Sequence, residues 1–429
     1  MRNTLSTAML VVWSGCAVAQ NYVLTDLTTP NRLVYSDATG INDAGQVSGM
    51  SYGSVGGPHA TIWNGTVATQ LTIPGGAAGY AFGINESGQV VGTEYINGGS
   101  AVEGVLWNGI IATILQPAGG IYDAYSVAVG ENNVGQAVGR SGSTGNSNGW
   151  HATIWNGTSP TDLGPPSAFD SAAEGINDAG QVVGFSAGPY SPAFATLWNG
   201  TTGYTILGTL PGTFSYSSAA DGINAAGQIV GYSYSSEEDI HGAVTHATIW
   251  NGTTPMDLGT LGGASSAASA INDRGQIVGQ SETASVANHA ALWDSSGNII
   301  DLNSRIAPSL AIYVTLSSAN AINNHGWIAA NGTDSRSQNQ QNAYLLRPIP
   351  DAMAALLTEV TGVGPGQSLA NKVTAAQTYY AVPDIQATCA MLTGFVNEVQ
   401  AQDGKKIDPT LDAKLIADAQ AIEAAIGCN

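Results

Sequence analysis

Charged side chains are scarce in this chain, and lysine is nearly absent from it. Only 10% of the 429 residues are charged, against about 25% in an average soluble protein. The 11 basic residues are outnumbered by 31 acidic ones, which gives a net charge of -20. So few cations cannot neutralise the phosphates of a nucleic-acid duplex or hold the chain on an anionic membrane surface. We therefore expect neither nucleic acid nor a charged membrane surface as a partner.

Long apolar runs are missing beyond the first residues. The chain opens with Arg2, an apolar stretch and the small-x-small sequence Ala17-Val18-Ala19, which is typical of a signal-peptidase site. We interpret residues 1–19 as a signal peptide; the alternative makes Cys16 a lipidated N-terminus. No later run approaches the ~20 apolar residues that span a bilayer, so we expect a secreted or cell-surface protein without a membrane span.

Cysteine is also rare, because only Cys389 and Cys428 follow Cys16. Two cysteines in an exported chain most simply form one disulfide. A catalytic thiol is the weaker interpretation, since no histidine follows His325. A metal site is weaker still, because two soft ligands are too few for one.

Glycine, in contrast, is abundant at 55 residues, roughly twice its usual share of about 7%. Many of these glycines belong to a repeated segment, GINDAGQVSG from Gly40, which returns as GINDAGQVVG from Gly175 and in five further variants. The asparagine shared by the seven copies recurs every 43 to 51 residues, at Asn42, Asn85, Asn132, Asn177, Asn224, Asn272 and Asn323. This period is in the size range of propeller blades.

The sequence pattern of each repeat predicts four short strands, which we name a to d. Strand a ends in Ile-Asn, and Asn-x-x-Gly then turns the chain into strand b. Strand c is the HATIW segment found from His59, His151 and His246, and Asn-Gly after its Trp is a strong hairpin signal before strand d. Seven such units predict an all-β fold, a seven-bladed β-propeller over residues 20–347. The repeated Trp is expected to pack between blades, at Trp63, Trp107, Trp155, Trp198, Trp250 and Trp293.

The seventh unit lacks a strand d of its own. Residues 22–27 resemble that strand, and pairing them with the last blade would close the ring and remove two open edges. A β-solenoid is the alternative, although its repeat units are usually shorter.

These units resemble the extracellular HAF repeat, named for His-Ala-Phe. Here the triplet is mostly His-Ala-Thr, as at His59-Ala60-Thr61. The resemblance covers about residues 21 to 347 and implies an exported bacterial repeat protein. It brings no established chemistry and no catalytic residues.

Residues 348–429 differ from the repeats in composition and period. All four lysines lie here, and the apolar period shifts from two towards 3.6. We predict four helices, near 353–360, 367–380, 385–402 and 408–426, stapled by Cys389 and Cys428. The stretches from Gly364 and Phe395 resemble the helical FIMAH-type module of secreted bacterial proteins, which implies attachment or interaction rather than catalysis.

Loop variation indicates where a ligand would bind. The a–b and c–d turns are nearly identical in all repeats, whereas the b–c and d–a loops vary, and function on a repeat scaffold usually lies in the variable loops. Their aromatic and acidic groups suit carbohydrate stacking or cation binding. We predict ligand contacts from Glu94, Tyr95, Arg140, Trp150, Tyr190, Tyr234, Glu237, Glu238, Asp239 and His241, with Asp334 and Arg336 on the same face.

Catalytic and metal motifs are not recognisable. The recurring histidines occupy equivalent places on different blades, which favours a structural role over a shared metal. The Asn-Asp-x-Gly turns lack the carboxylate series of an EF-hand, so we predict no cofactor, with a structural or loop-bound calcium ion left open. We expect a monomeric, non-catalytic protein that binds a glycan, polymer or protein. The alternative is a polysaccharide lyase or hydrolase, acting at the channel mouth through Tyr, His or carboxylate groups.

Overall fold

The computed structural model describes most of the chain and divides it into two units. It describes residues 21–28, 34–53, 57–73, 76, 78–96, 101–118, 124–143, 149–164, 170–188, 192–201, 203–211, 217–239, 242–337, 340–364, 367–402 and 404–428. The β-unit comprises residues 22–352, and the helical unit comprises the described residues from 353 onward together with Asn21. The predicted signal peptide, residues 1–19, lies outside the described residues.

Strands in the β-unit form seven antiparallel sheets of four, which confirms the predicted seven-bladed propeller. Blade 1 consists of β2 Tyr35–Ile41, β3 Gln46–Tyr52, β4 His59–Asn64 and β5 Val67–Leu71. Blade 2 consists of β6 Ala78–Ile84, β7 Gln89–Ile96, β8 Ala101–Asn108 and β9 Ile111–Leu115. Blade 3 consists of β10 Ala124–Glu131, β11 Gln136–Ser143, β12 Trp150–Asn156 and β13 Ser159–Asp162. Blade 4 consists of β14 Asp170–Ile176, β15 Gln181–Ala187, β16 Ala193–Asn199 and β17 Tyr204–Ile206. Blade 5 consists of β18 Ser218–Ile223, β19 Ile229–Asp239, β20 Gly242–Asn251 and β21 Thr254–Asp257. Blade 6 consists of β22 Gly262–Ile271, β23 Ile277–Thr283, β24 Asn288–Trp293 and β25 Ile299–Asp301. Blade 7 consists of β26 Val314–Ile322, β27 Ile328–Asp334, β28 Gln341–Pro348 and β1 Tyr22–Asp26.

Strand β1 is the outer strand of the last blade. It pairs antiparallel with β28, from Tyr22 opposite Pro348 to Asp26 opposite Tyr344. One sheet thus joins the two ends of the β-unit, and β1 covers the edge of β28 that would otherwise be open. Side-chain amides join this last blade to blade 1, because Nδ2 of Asn320 and of Asn331 donate to the Ala38 carbonyl.

The shared asparagines form a closed ring around the central channel. Nδ2 of each one donates to the backbone carbonyl of the equivalent asparagine in the next blade, at 2.9–3.2 Å, and Asn323 closes the circle on Asn42. Each Oδ1 accepts the backbone N–H four residues later, as Gln46 donates to Asn42 at 3.0 Å. The intervening glycines have φ between 74° and 83°, a region that favours glycine. The Asn-x-x-Gly motif therefore serves both the turn and the joint between blades.

A second, outer ring lies one residue further along. The backbone N–H after each asparagine donates to the side chain at the same place in the next blade, as Asp43 does to Glu86 and Asn133 to Asp178. Six of the seven links are present in the described turns. The seventh would run from Asp178 to blade 5, where Ala225 has no side-chain acceptor. The two rings line a recess of about 200 Å³.

The conserved place of Trp and His in the repeat also has a structural explanation. The six repeated tryptophans are at most 2% exposed, and Trp155, Trp250 and Trp293 donate from Nε1 to a carbonyl of the preceding blade. His151 and His246 bond through Nδ1 to Asp162 and Asp257 on strand d of their own blades, at 2.8 and 2.7 Å. His289 bonds Asp301 in the same way at 2.7 Å. The tryptophans therefore join neighbouring blades, and these histidines brace strands c and d within their own blades.

Helices dominate the rest of the chain. After α1, Pro308–Ala311, they are α2 Ile349–Val360, α3 Ser368–Ala381, α4 Ile385–Gln402 and α5 Pro409–Ile426. The last four confirm the predicted helical region. Asp408 caps α5 by accepting the N–H of Thr410. Cys389 and Cys428 form a disulfide with Cα atoms 5.5 Å apart, which joins α4 to the residues after α5.

Candidate functional site

The channel has two mouths of different character. The a–b and c–d turns surround the one with the asparagine ring, which we call the constant face. The b–c and d–a connections surround the other, which we call the variable face. Strand a of each blade contacts strand a of both neighbours, so its side chains line the channel between the two mouths.

A β-bulge near the end of strand a recurs in every blade. Bulges bend a strand and redirect a side chain, and they are frequent beside functional sites. The bulged residue is different in each blade: Thr39, Phe82, Val129, Glu174, Asp221, Ser269 and Asn320 in chain order. Two carboxyl groups therefore stand side by side in the channel, on blades 4 and 5.

Aromatic rings occupy the variable face of blades 1 to 3. Tyr35 and Tyr52 meet edge to face with ring centroids 5.5 Å apart, and Tyr80 and Tyr95 do so at 6.1 Å. Burial raises the pKa of Tyr80, and contact with Tyr52 raises it further, so the pairs of blades 1 and 2 are neighbours. On blade 3, Tyr125 and Trp150 are 6.3 Å apart. We call the set the aromatic crescent; all six rings are half-buried, at Tyr35, Tyr52, Tyr80, Tyr95, Tyr125 and Trp150.

The two bulged carboxyl groups, which we call the acidic pair, have unusual protonation behaviour. Burial raises the pKa of Asp221 to about 8, and the charge of Glu174 adds to the rise. Burial also raises the pKa of Glu174, against the opposing charge of Arg140. Tyr232 on β19 lies beside them, since its pKa rises through burial and then through the charge of Asp221. Carboxyl groups perturbed in this way inside a cleft are typical of functional sites.

Arg140 connects the crescent to the acidic pair. Its guanidinium lies 5.0 Å from the ring centroid of Trp150, a cation–π distance, and its charge acts on Glu174. Blades 4 to 6 carry small residues where blade 1 and blade 2 carry Asp37 and Tyr80, namely Ala172, Ala219 and Ala267. The variable mouth thus has an aromatic half and an open, acidic half.

Three of the predicted ligand residues belong to this arrangement: Tyr95, Arg140 and Trp150. Tyr234 is half-buried on β19 and lies close enough to Tyr232 to raise the pKa of that residue. Tyr190 and His241 lie outside the described residues. Glu237, Glu238 and Asp239 belong to the described backbone of β19, and their side chains are not described.

Glu94 and the Asp334–Arg336 group lie apart from the acidic pair. Glu94 is 2% exposed, and its carboxyl group packs so closely on Gly76 and Gly79 that a side chain at either would collide with it. Burial raises the pKa of Glu94 to about 7. Asp334 and Arg336 pair at 2.6 Å, and this hydrogen bonding lowers the pKa of Asp334. The two charges therefore compensate each other.

Sequence reasoning missed Tyr35, Tyr80, Glu174, Asp221 and Tyr232. A signal for the acidic pair was available, because Glu174 and Asp221 fill a place that is uncharged in the other five repeats. A further exception is Glu131, which stands where the six other repeats have Ile before the shared asparagine. Aligning the repeats and searching for charged exceptions would have found all three.

The described part of the chain contains no preformed metal-binding site. No group of three or more His, Cys, Asp or Glu side chains is arranged there to hold a metal ion. The acidic pair alone offers too few ligands for calcium, which takes six to eight oxygens. A calcium ion bound by a loop remains an untested prediction. No helix among the described residues is long and apolar enough to cross a membrane.

Comparisons with known proteins add little to this description. No family model matches the sequence and no curated protein matches it, so the resemblances to the HAF repeat and the FIMAH-type module remain predictions. Similar solved structures include AofleA from Arthrobotrys oligospora, at 12% identity over 66% of this chain and 90% of that one, with a TM-score of 0.36. A six-bladed fungal lectin from Aleuria aurantia matches at 12% identity over 62% of this chain and 95% of the lectin chain, with a TM-score of 0.36. A puromycin-hydrolyzing peptidase of Mycobacterium tuberculosis matches at 9% identity over 72% of this chain and 51% of the peptidase chain, with a TM-score of 0.44. Such low similarity carries no functional argument, so function has to be argued from the site itself.

Proposed function

We propose that this protein is an exported carbohydrate-binding protein whose ligand stacks on the aromatic crescent at the variable face. The crescent itself is the observation that carries the proposal. Sugar rings present flat faces of C–H groups, which pack on aromatic rings, while their hydroxyl groups need polar partners nearby. Arg140, Asp37 and the acidic pair supply such partners within the same mouth.

Export is part of the proposal. Residues 1–19 have the sequence of a signal peptide, and the disulfide between Cys389 and Cys428 is of a kind that persists in oxidising compartments. We also propose that the propeller acts as a monomer, and that the helical unit serves attachment.

A glycan array followed by titration calorimetry tests the binding site. We expect Tyr95→Ala and Trp150→Ala each to weaken carbohydrate binding about tenfold or more, because a stacked aromatic ring contributes about 1–3 kcal/mol. Tyr204→Ala is the matched control: Tyr204 is 46% exposed but lies on β17, an outer strand of blade 4.

Two results would contradict the proposal. The first is an array with no carbohydrate bound by the full chain. The second is equal loss of affinity in Tyr95→Ala and Tyr204→Ala, which would move the ligand away from the crescent. Circular dichroism of each variant separates loss of binding from loss of fold.

Cleavage of the same ligand is the second candidate function, and the acidic pair is the observation in its favour. Two neighbouring carboxyl groups can act as proton donor and acceptor in glycoside hydrolysis, and burial raises the pKa of both Glu174 and Asp221. A lyase that acts through histidine and tyrosine has less support. His325 follows Asn323 in a turn of the constant face, at the mouth opposite the crescent, and His241 is not described. Release of reducing ends from the bound polysaccharide, abolished by Asp221→Asn, would establish hydrolysis.

A further inference from the structure

Carboxyl groups outnumber cations along one wall of the channel. Asp170 at the start of β14 lies on the variable side of the acidic pair, and Glu131 at the end of β10 lies towards the constant face. We call Asp170, Glu174, Asp221 and Glu131 the acidic column. Among the described side chains, Arg140 is the cation that acts on this column, and it acts on Glu174.

Parts of the acidic column are buried without a hydrogen-bond partner. Oδ1 of Asp170 has less than 1 Å² of accessible surface and no partner. Oε1 of Glu131 also lacks a partner, but the carboxyl group of Glu131 accepts backbone hydrogen bonds from Asn85 and Val91 of blade 2. Buried carboxylates are normally paired with a cation or several hydrogen-bond donors, because desolvation of an unpaired charge is costly. The unpaired oxygen of Asp170, on the variable side of the acidic pair, therefore indicates a ligand that supplies positive charge or several donors.

We propose that the variable mouth selects a carbohydrate bearing protonated amino groups, with the sugar rings on the aromatic crescent and the ammonium groups on the acidic column. This inference rests on the proposed carbohydrate binding and specifies its ligand class. An ammonium group offers three donors and a full positive charge. It can therefore satisfy carboxyl oxygens from Glu174 and Asp221 while lying against the ring of Tyr232.

An ammonium group fits the acidic column better than a metal ion does. Within the described residues no three carboxylates converge as calcium requires. The column instead spreads over blades 3 to 5, along the length of the channel wall. A chain of amino sugars presents its charges at intervals, and so matches separated carboxylates better than a single ion.

Calorimetry with matched sugar pairs tests this selection. The probes are hexamers of glucosamine and galactosamine, each compared with its N-acetylated hexamer, at pH 7 and low salt. We expect the full chain to bind the free-amine hexamer of one pair at least about tenfold more tightly than its acetylated partner, as charge-assisted hydrogen bonds are the stronger kind. Asp221→Asn and Glu174→Gln should each reduce that ratio to about threefold or less, while binding of the acetylated hexamer persists.

Asp178→Asn is the matched control, because it removes the same charge at the opposite mouth. Its fold should survive, since Asn133 and Asn324 already accept the equivalent hydrogen bond in other blades. The ratio should stay at its wild-type value in this variant.

The outcomes separate this inference from the function on which it rests. Equal affinity for amine and acetylated hexamers would overturn the amine selection and leave carbohydrate binding standing. A preference that survives both Asp221→Asn and Glu174→Gln, or one that EDTA abolishes, would also overturn it. Failure of all carbohydrates on the array would instead reject the proposed function.

Discussion

The two mouths of the channel show opposite uses of the same repeat. At the constant face, seven equivalent asparagines make seven equivalent hydrogen bonds, and the ring closes without a break. At the variable face, no two blades present the same channel side chains. The joints between blades require identical residues at one mouth. Near the other mouth, the joints are made by serines such as Ser126, Ser171 and Ser218, which accept a backbone N–H of the preceding blade. The channel side chains there take no part in these bonds, so they differ between blades and form an asymmetric site.

The largest expected effect comes from breaking the constant face. Asn177→Ala removes the donor to Asn224, at 3.1 Å, and both bonds to Gln181. Asn177 is 5% exposed, so its former partners lose their bonds without full access to water, and the propeller should lose about 3 kcal/mol of stability. Tryptophan fluorescence during urea unfolding measures this loss, because every tryptophan after residue 21 lies in the β-unit.

Ligand preference should not respond to that change. If Asn177→Ala shifts the ratio of amine to acetylated sugar affinity at a temperature where the fold is intact, the two mouths are not separable as described. A stability loss under about 0.5 kcal/mol would mean that the ring contributes little to the joints.

An intermediate effect is expected from the acidic half of the variable face. The pKa of Asp221 is raised to about 8 in the fold by burial and by Glu174, and it is near 3.9 in an unfolded chain. Folding therefore favours the protonated form, and stability from this group is lost as the pH rises from about 4 to 8. Asp221→Asn should stabilise the propeller by about 2 kcal/mol at pH 8 and change little at pH 4.

Thermal unfolding of both forms at the two pH values measures this difference. Asp178→Asn serves again as the control with the same change of charge. An equal gain at pH 4 and pH 8 would show that the carboxyl group of Asp221 ionises as freely in the fold as in the unfolded chain.

The smallest expected effect comes from completing the outer ring. Ala225→Asn gives the N–H of Asp178 the acceptor that it lacks, in the form already present at Asn133 and Asn324. A gain of about 0.5–1 kcal/mol is expected for one partly exposed hydrogen bond. Ala226→Asn, in the same turn, is the control, and an equal gain in both variants would assign the effect to turn propensity instead of the ring.

Much of the architecture could be predicted from local patterns. Asn-x-x-Gly-Gln and Trp-Asn-Gly mark turns that need left-handed glycines, and these occur at Gly45 and Gly65 with φ of 77° and 59°. The shift of period at Pro348 marked the helices. The disulfide was predictable because only two cysteines remained for pairing. Each of these signals lies within one repeat or one helix, where neighbours in sequence are neighbours in space.

The site was less accessible because its members come from different blades. Tyr80, Arg140, Glu174 and Asp221 are separated by 34 to 60 residues from one to the next, and each looks ordinary within its own strand. Glu94, chosen for its place near a variable loop, is buried in the fold. Proximity to a loop in sequence did not distinguish the face of the strand on which a side chain lies.

By itself, the sequence determined the number of blades, the four strands of each, the turn chemistry and the helical end of the chain, because these depend on local periodicity and turn preference. The tertiary structure decided which side chains share the channel. Ring closure brings seven distant strands together. Bulges direct two carboxyl groups into the channel, and other positions of the strands bring one arginine and six aromatic rings to the same mouth. Burial there changes the chemistry of the acids, and no local sequence pattern carries that information.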